Sequence, residues 1–429
     1  MRQPRRQGAQ PEPVRFPPGF RWGVATSAYQ IEGAAATDGR GPSIWDTFSA
    51  VPGRVRNGDT GALAADHYHR YLTDLDLMRS LGVQSYRFSI SWSRIQPDGR
   101  GRVNQRGLDF YRRLTDAMLA RGIAGVATLY HWDLPQALQD AGGWEHRDCA
   151  SWFADYAAVM FAALGDRIDT WATVNEPKTV VEVGYLHGAH APGRTDPAAA
   201  MVVAHHLLLG HGLAVRAFRA ATGTGGRIGP VFNLAPVYPA DDRVPADRVR
   251  HADIVENRLY LDPVLTGRYP AAFLGGDGPA AGALRGAVAD GDLAVIASPV
   301  DLLGVNYYHP VFVDATGGYV TKLPTSVAPW QQIYPQGLDD LLTGLHRDYG
   351  DLPIAIMENG LPCDDRLVDG QVADEGRIGF LREHLGALHR AIGRGVPVES
   401  YHLWSLLDNF EWAEGYSQRW GIVHVDHAT

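Results

Sequence analysis

Short runs of β-branched and aromatic residues alternate along the chain with longer stretches in which apolar side chains recur every three or four positions. The runs lie at 21–26, 85–90, 125–130, 170–174, 227–232, 302–307, 353–357 and 399–404. Each is too short for a helix and is apolar with little alternation, the pattern of a parallel strand covered on both faces. Between them, helical periodicity predicts helices over 71–81, 108–120, 149–164, 198–220 and 377–394, several closed by a glycine: Gly82, Gly122, Gly165 and Gly395. Strand then helix, repeated eight times, predicts an α/β chain folded as a single (β/α)8 TIM barrel. The competing architecture, a doubly wound open sheet, would carry a glycine-rich phosphate turn after its first strand, and none follows 21–26.

The loops are uneven. Long Pro/Gly-rich stretches at 31–66, 233–262 and 306–337 follow strands, which in a barrel places them at the catalytic mouth and predicts a deep pocket. No linker, short repeat or low-complexity tract divides the chain, so one catalytic domain is expected over 16–429, preceded by a flexible Pro/Gln/Arg-rich arm at 1–15.

Composition narrows the partners. Of 429 residues, 45% are hydrophobic and 20% charged, enough to bury a large core, and the net charge of -9 argues against nucleic acid or an anionic membrane, which call for a clustered basic face. A small neutral ligand fits better. Cys149 and Cys363 are far apart and belong to no metal-ligand spacing, and neither His67/His69 nor His205-His206 reads as a ligand pair, so no metal, nucleotide or flavin is expected. With no apolar leader core near the start and no later run read as membrane-spanning, a cytoplasmic location is expected.

Two segments, Thr173-Val174-Asn175-Glu176-Pro177 and Ile356-Met357-Glu358-Asn359-Gly360, each place a glutamate where a strand ends. Paired carboxyl groups are the parts that acetal cleavage needs, one to protonate the leaving oxygen and one to attack or stabilise the oxocarbenium-like carbon. The other strand ends supply Gln30, Arg87, His131, Trp132, Asn175, Asn233, Asn306, Tyr308, Trp404, Glu411 and Trp412. Indole faces suit sugar C–H surfaces, and amides, imidazoles and carboxylates suit sugar hydroxyls.

Taken with Phe20-Arg21-Trp22-Gly23, Tyr86-Arg87-Phe88-Ser89-Ile90-Ser91-Trp92-Ser93-Arg94, Tyr130-His131-Trp132-Asp133-Leu134-Pro135 and Trp404-Ser405-Leu406-Leu407-Asp408-Asn409-Phe410-Glu411-Trp412, these segments make the chain resemble the β-glucosidases of glycoside hydrolase family 1 from Phe16 to Asp426. The resemblance implies a retaining double displacement on β-D-glucosides, or on β-D-fucosides or β-D-galactosides, with Glu176 as acid/base and Glu358 as nucleophile about 5–5.5 Å apart. Arg87 and, by the same resemblance, Tyr308 would hold the Glu358 carboxylate. Asn175 would meet the sugar 2-hydroxyl, and Gln30, His131, Glu411 and Trp412 the 3-, 4- and 6-hydroxyls. Trp132 and Asn306 would complete this shell, Trp404 would lie under the ring, and Trp330 would wall the aglycone side. Glu411 implies an unphosphorylated sugar, because a carboxylate there would repel a 6-phosphate. The rival functions are transfer of the glycosyl group to an alcohol and a barrel that binds without catalysis, which the presence of both glutamates disfavours.

The chain departs from the family pattern at four places. Met357 and His309 are expected to alter packing around Glu358. Trp420 stands where a smaller ring is usual beside the sugar 6-position, so crowding there is expected. The chain ends soon after Asp426 with no pattern for a closing helix, which predicts exposed apolar surface between the last and first strands.

Overall fold

The computed structural model, which describes residues 14–221 and 226–427, turns the eight runs into eight parallel strands: β1 (Arg21–Ala25), β2 (Ser85–Ser89), β3 (Ala124–Tyr130), β4 (Thr170–Asn175), β5 (Arg227–Asn233), β6 (Leu303–Asn306), β7 (Ile354–Glu358) and β8 (Val398–Trp404). Every boundary lies within one residue of the expected one. They pair in chain order, and β8 closes on β1 with Gly23 opposite His402 and Ala25 opposite Trp404. The helices outside the barrel include α1 (His67–Ser80), α2 (Gln105–Leu119), α3 (Cys149–Leu164), α4 (Pro197–Ala220), α5 (Pro279–Ala287), α6 (Pro335–Tyr349) and α7 (Glu375–Gly393). Three expected glycine stops take the left-handed turn, whereas Gly165 after α3 remains right-handed at φ -63°.

Two expectations need correction. Helix α4, at 24 residues, is long and apolar enough to cross a membrane by length and composition, contrary to the sequence-based expectation. It packs instead against α3 and α5, with 72% of its most apolar stretch buried, as a barrel helix covered by neighbours would be. No α-helix follows β8 among the described residues, as expected, yet the outer side of the β8–β1 seam is not bare. Val24, Tyr401 and Leu403 are buried, and Phe16 and Phe20 pack on the Trp22 ring with centroids 4.8 and 4.9 Å away. Of the expected arm at 1–15, only Val14 and Arg15 fall within the described residues; the Arg15 carbonyl accepts a hydrogen bond from His389 Nε2 at 3.0 Å.

Inside the barrel, Val126, Ala172, Val231, Leu302, Ala355 and Met357 form an apolar layer beneath the mouth. Met357 shares the inner face with Ala355 two residues before it, and a register shift in β7 between Ile356 and Glu358 lets the next residue, Glu358, reach the mouth as well. A three-stranded sheet, built from Val237–Pro239, Val311–Val313 and Tyr319–Val320, stands over the same mouth.

Candidate active site

The C-terminal ends of the strands enclose a cavity of about 550 Å³ lined by Glu176, Glu358, His131, Trp132, Tyr308, Trp330, Trp404, Glu411, Trp412 and Trp420. Trp132, Glu176 and Trp412 have positive φ, at 81°, 49° and 51°. Each such backbone costs about 1–3 kcal/mol for a non-glycine residue and persists only where the surroundings impose it, so its recurrence on one cavity wall marks a constrained site.

The two strand-end glutamates meet different partners. Glu358 Oε1 accepts from Arg87 Nη1 at 2.5 Å and Oε2 from the Tyr308 hydroxyl at 2.8 Å. Glu176 Oε1 accepts from Asn306 Nδ2 at 2.6 Å and Oε2 from the Thr179 hydroxyl at 2.8 Å. Burial, and then the nearby Glu358 charge, push Glu176 up to about 7; the Asn306 and Thr179 hydrogen bonds pull against this. A third carboxyl group, Glu411, is pushed up to about 8, again by burial first and then by Glu358 and Glu176.

Asn175 joins these groups. Its Oδ1 accepts from Arg87 Nη2 at 2.7 Å and Asn306 Nδ2 at 3.1 Å, which fixes the orientation of its amide. Its Nδ2 therefore donates to His131 Nε2 at 3.1 Å. His131 is held well below the ordinary histidine range by burial and by the Arg87 charge, so the ring is neutral and its proton sits on Nδ1. Among the described residues, this buried Nδ1–H has no acceptor. Trp132 Nε1 adds a hydrogen bond to the Asn175 carbonyl at 2.9 Å.

Aromatic rings complete the walls. Trp404 lies over His131 with centroids 5.8 Å apart, and Trp132 packs on Trp412 at 4.6 Å. Trp420 meets Tyr308 edge-on at 5.5 Å and stacks with Trp330 at 6.1 Å. Behind them, Gln30 is fully buried and donates to Asn409 Oδ1 at 2.9 Å and Glu411 Oε2 at 3.3 Å. Gln30, Arg87, Asn175 and Asn306 thus stand behind the wall that the other expected residues form.

Two departures act elsewhere than expected. Met357 touches the site through its carbonyl, which accepts from Arg87 Nη1 at 3.0 Å, while its side chain belongs to the layer below. His309 is not a partner of Glu358: its ring is 5.5 Å from Trp330 on the outer wall, and its Nδ1 lies 3.0 Å from the Pro310 carbonyl. The outer wall also holds Lys178, Glu182, Glu256 and Tyr319, which were not singled out in the sequence. The i,i+4 spacing of Lys178 and Glu182, two residues past Glu176, was the available signal. Elsewhere, Cys363, Asp365 and Asp374 approach one another as metal ligands would, but Arg377 already binds both carboxylates, at 3.0 and 2.5 Å.

The profile of glycosyl hydrolase family 1 matches residues 12–429. The chain belongs to this family. It is 46% identical to β-glucosidase A of Thermotoga maritima over 97% of this chain and 94% of that protein. It is 44% identical to a bifunctional β-D-glucosidase/β-D-fucosidase of Bifidobacterium breve over 96% and 94%. The solved structure of the Thermotoga maritima β-glucosidase in complex with glucoimidazole superposes with a TM-score of 0.91 at 45% identity, covering 96% of this chain and 94% of that one. The closed barrel of this family 1 chain is therefore the fold of its relatives.

Proposed function

We propose that this family 1 chain is a retaining β-glucosidase that removes terminal β-D-glucosyl units by double displacement. The observation that carries the proposal is the unequal treatment of two carboxyl groups in one cavity. Glu358 faces a guanidinium and a phenol, donors that stabilise a carboxylate, whereas Glu176 has only neutral donors and is pushed up to about 7. Glu358 attacks the anomeric carbon as the bond to the leaving oxygen breaks, and the Glu176 proton passes to that oxygen. Water then attacks the glycosyl ester, its proton returns to Glu176, and the bond to Glu358 breaks.

His131 meets sugar hydroxyls with Asn175 behind it as its support, Trp404 supports the ring, and Glu411, backed by Gln30, holds the far hydroxyls. Trp420 crowds the 6-position, so β-D-fucosides are co-substrates; the bifunctional relative supports this. A cytoplasmic location belongs to the same proposal, supported by two unpaired cysteines, of which Cys149 is buried. Proton NMR during hydrolysis of an aryl β-glucoside tests the mechanism. The β-anomer of glucose should appear first; the α-anomer first, or wild-type turnover by Glu358→Gly, would overturn it.

A further inference from the structure

Outside the catalytic pair, the cavity wall carries a charged cluster. Lys178 Nζ lies 2.8 Å from Glu182 Oε2 and 2.9 Å from Glu256 Oε2. Lys178 follows Glu176 by two residues and lines the same cavity, on the side where Glu176 hands its proton to the leaving group. The two carboxylates come from different loops, and each sits on a π-helical turn: Glu182 within Val180–Leu186 after β4, and Glu256 within Ile254–Arg258 after β5. A π-turn inserts a residue into a helix at a local cost in stability, and such turns concentrate where a side chain must be aimed at a ligand. Two of them converging on one ammonium group suggest placement for binding as well as for support.

We propose that the Lys178–Glu182–Glu256 cluster selects the aglycone, favouring a neutral, hydroxyl-bearing ring such as a second sugar unit over apolar or anionic leaving groups. The inference rests on the β-glucosidase function proposed above. An ammonium group has three donors, and two carboxylates use two of them, which leaves one for a hydroxyl oxygen. Glu182 is partly exposed, with 30% of its side chain accessible, and accepts from hydroxyl donors. A bare aryl ring pressed here would strip water from the charges and return no hydrogen bonds. An anion would meet two carboxylates for one cation. Lining the same cavity, Trp330 presents an indole that is 48% exposed, a surface on which a pyranose C–H face packs.

The test compares kcat/KM of the full chain and of Lys178→Met on a β-1,4-linked glucose disaccharide and on an aryl β-glucoside. Loss of a hydrogen bond to a charged group predicts that the disaccharide-to-aryl ratio falls about tenfold or more. Glu182→Gln, at a more exposed position, should lower the ratio in the same direction by a smaller factor, and serves if Lys178→Met does not fold. Equal losses on both substrates would make the cluster merely structural and overturn the inference. A measurement on the unaltered protein is independent of folding: reactivation of a 2-deoxy-2-fluoroglucosyl-enzyme by methyl β-glucoside should outpace reactivation by benzyl alcohol at equal concentration. The reverse order would also overturn the inference while leaving the β-glucosidase function intact. A wild-type protein inactive on both substrates would instead refute the function itself.

Discussion

Replacing Asn306 with leucine should move the alkaline limb of the pH–rate profile upward by about one pH unit. Asn306 Nδ2 donates to Glu176 Oε1 at 2.6 Å, a bond that favours the ionised carboxylate and so opposes the burial that raises Glu176 to about 7. Removing the donor must raise Glu176 further. A hydrogen bond to a charged group contributes about 1.5–3 kcal/mol, and about 1.36 kcal/mol corresponds to one pH unit, so a shift of about one to two is the gross expectation. Thr179 and Arg87 still act on the carboxylate in the variant, which favours the lower end. As the general acid, Glu176 must be protonated, so kcat/KM is lost as pH rises through its pKa, and a raised pKa extends activity to higher pH. The assay is kcat/KM from about pH 5 to pH 10 on an aryl glucoside with a poor leaving group, where protonation matters most. Leucine also deprives Asn175 of a partner at 3.1 Å, which lowers the plateau but does not set the position of the limb. An unmoved limb, or one displaced toward acid, would refute both the donor's role and the assignment of that limb to Glu176.

Arg94→Met should cost about 3–5 kcal/mol in chemical denaturation near neutral pH, because Glu32, which also accepts from Tyr111 at 2.6 Å, is left buried without its cation; a loss below about 1 kcal/mol would show that the pair does little for stability. Gly360→Ala should lower Tm and raise KM together, since a Cβ there would collide with the Trp404 carbonyl oxygen, at an overpacking cost of about 1–3 kcal/mol. Wild-type Tm and KM would mean that the Trp404 backbone yields freely.

The barrel was legible because a parallel strand covered on both sides must be continuously apolar, and eight such runs are hard to produce by other means. The glutamates were legible for a related reason: a charged residue at the end of an apolar strand stands out. Residues whose direction depends on local geometry were harder. Tyr308 and His309 both pack on Trp330, yet only Tyr308 also reaches Glu358. Met357 precedes Glu358, yet its side chain joins Ala355 in the layer below the site, while the register shift in β7 brings Glu358 to the mouth. The Lys178 cluster escaped notice because Glu256 lies far along the chain and meets Lys178 only once the loops after β4 and β5 are brought together.

What separates the two glutamates is not residue type but the donors that reach them, and those donors are not independent. Arg87 binds Glu358 and Asn175; Asn175 accepts from Asn306; Asn306 binds Glu176. The same Asn175 amide, oriented by Arg87 and Asn306, sets the tautomer of His131. A substitution at Arg87 therefore removes the cation from Glu358, leaves the Asn175 amide oriented by Asn306 alone, and weakens the hold of that amide on which imidazole nitrogen of His131 carries the proton. Effects of Arg87 and Asn306 substitutions should accordingly not add, because both act through one amide. The division of labour between Glu176 and Glu358 belongs to this connected set of five strand-end residues, and Asn175 is the member through which its parts communicate.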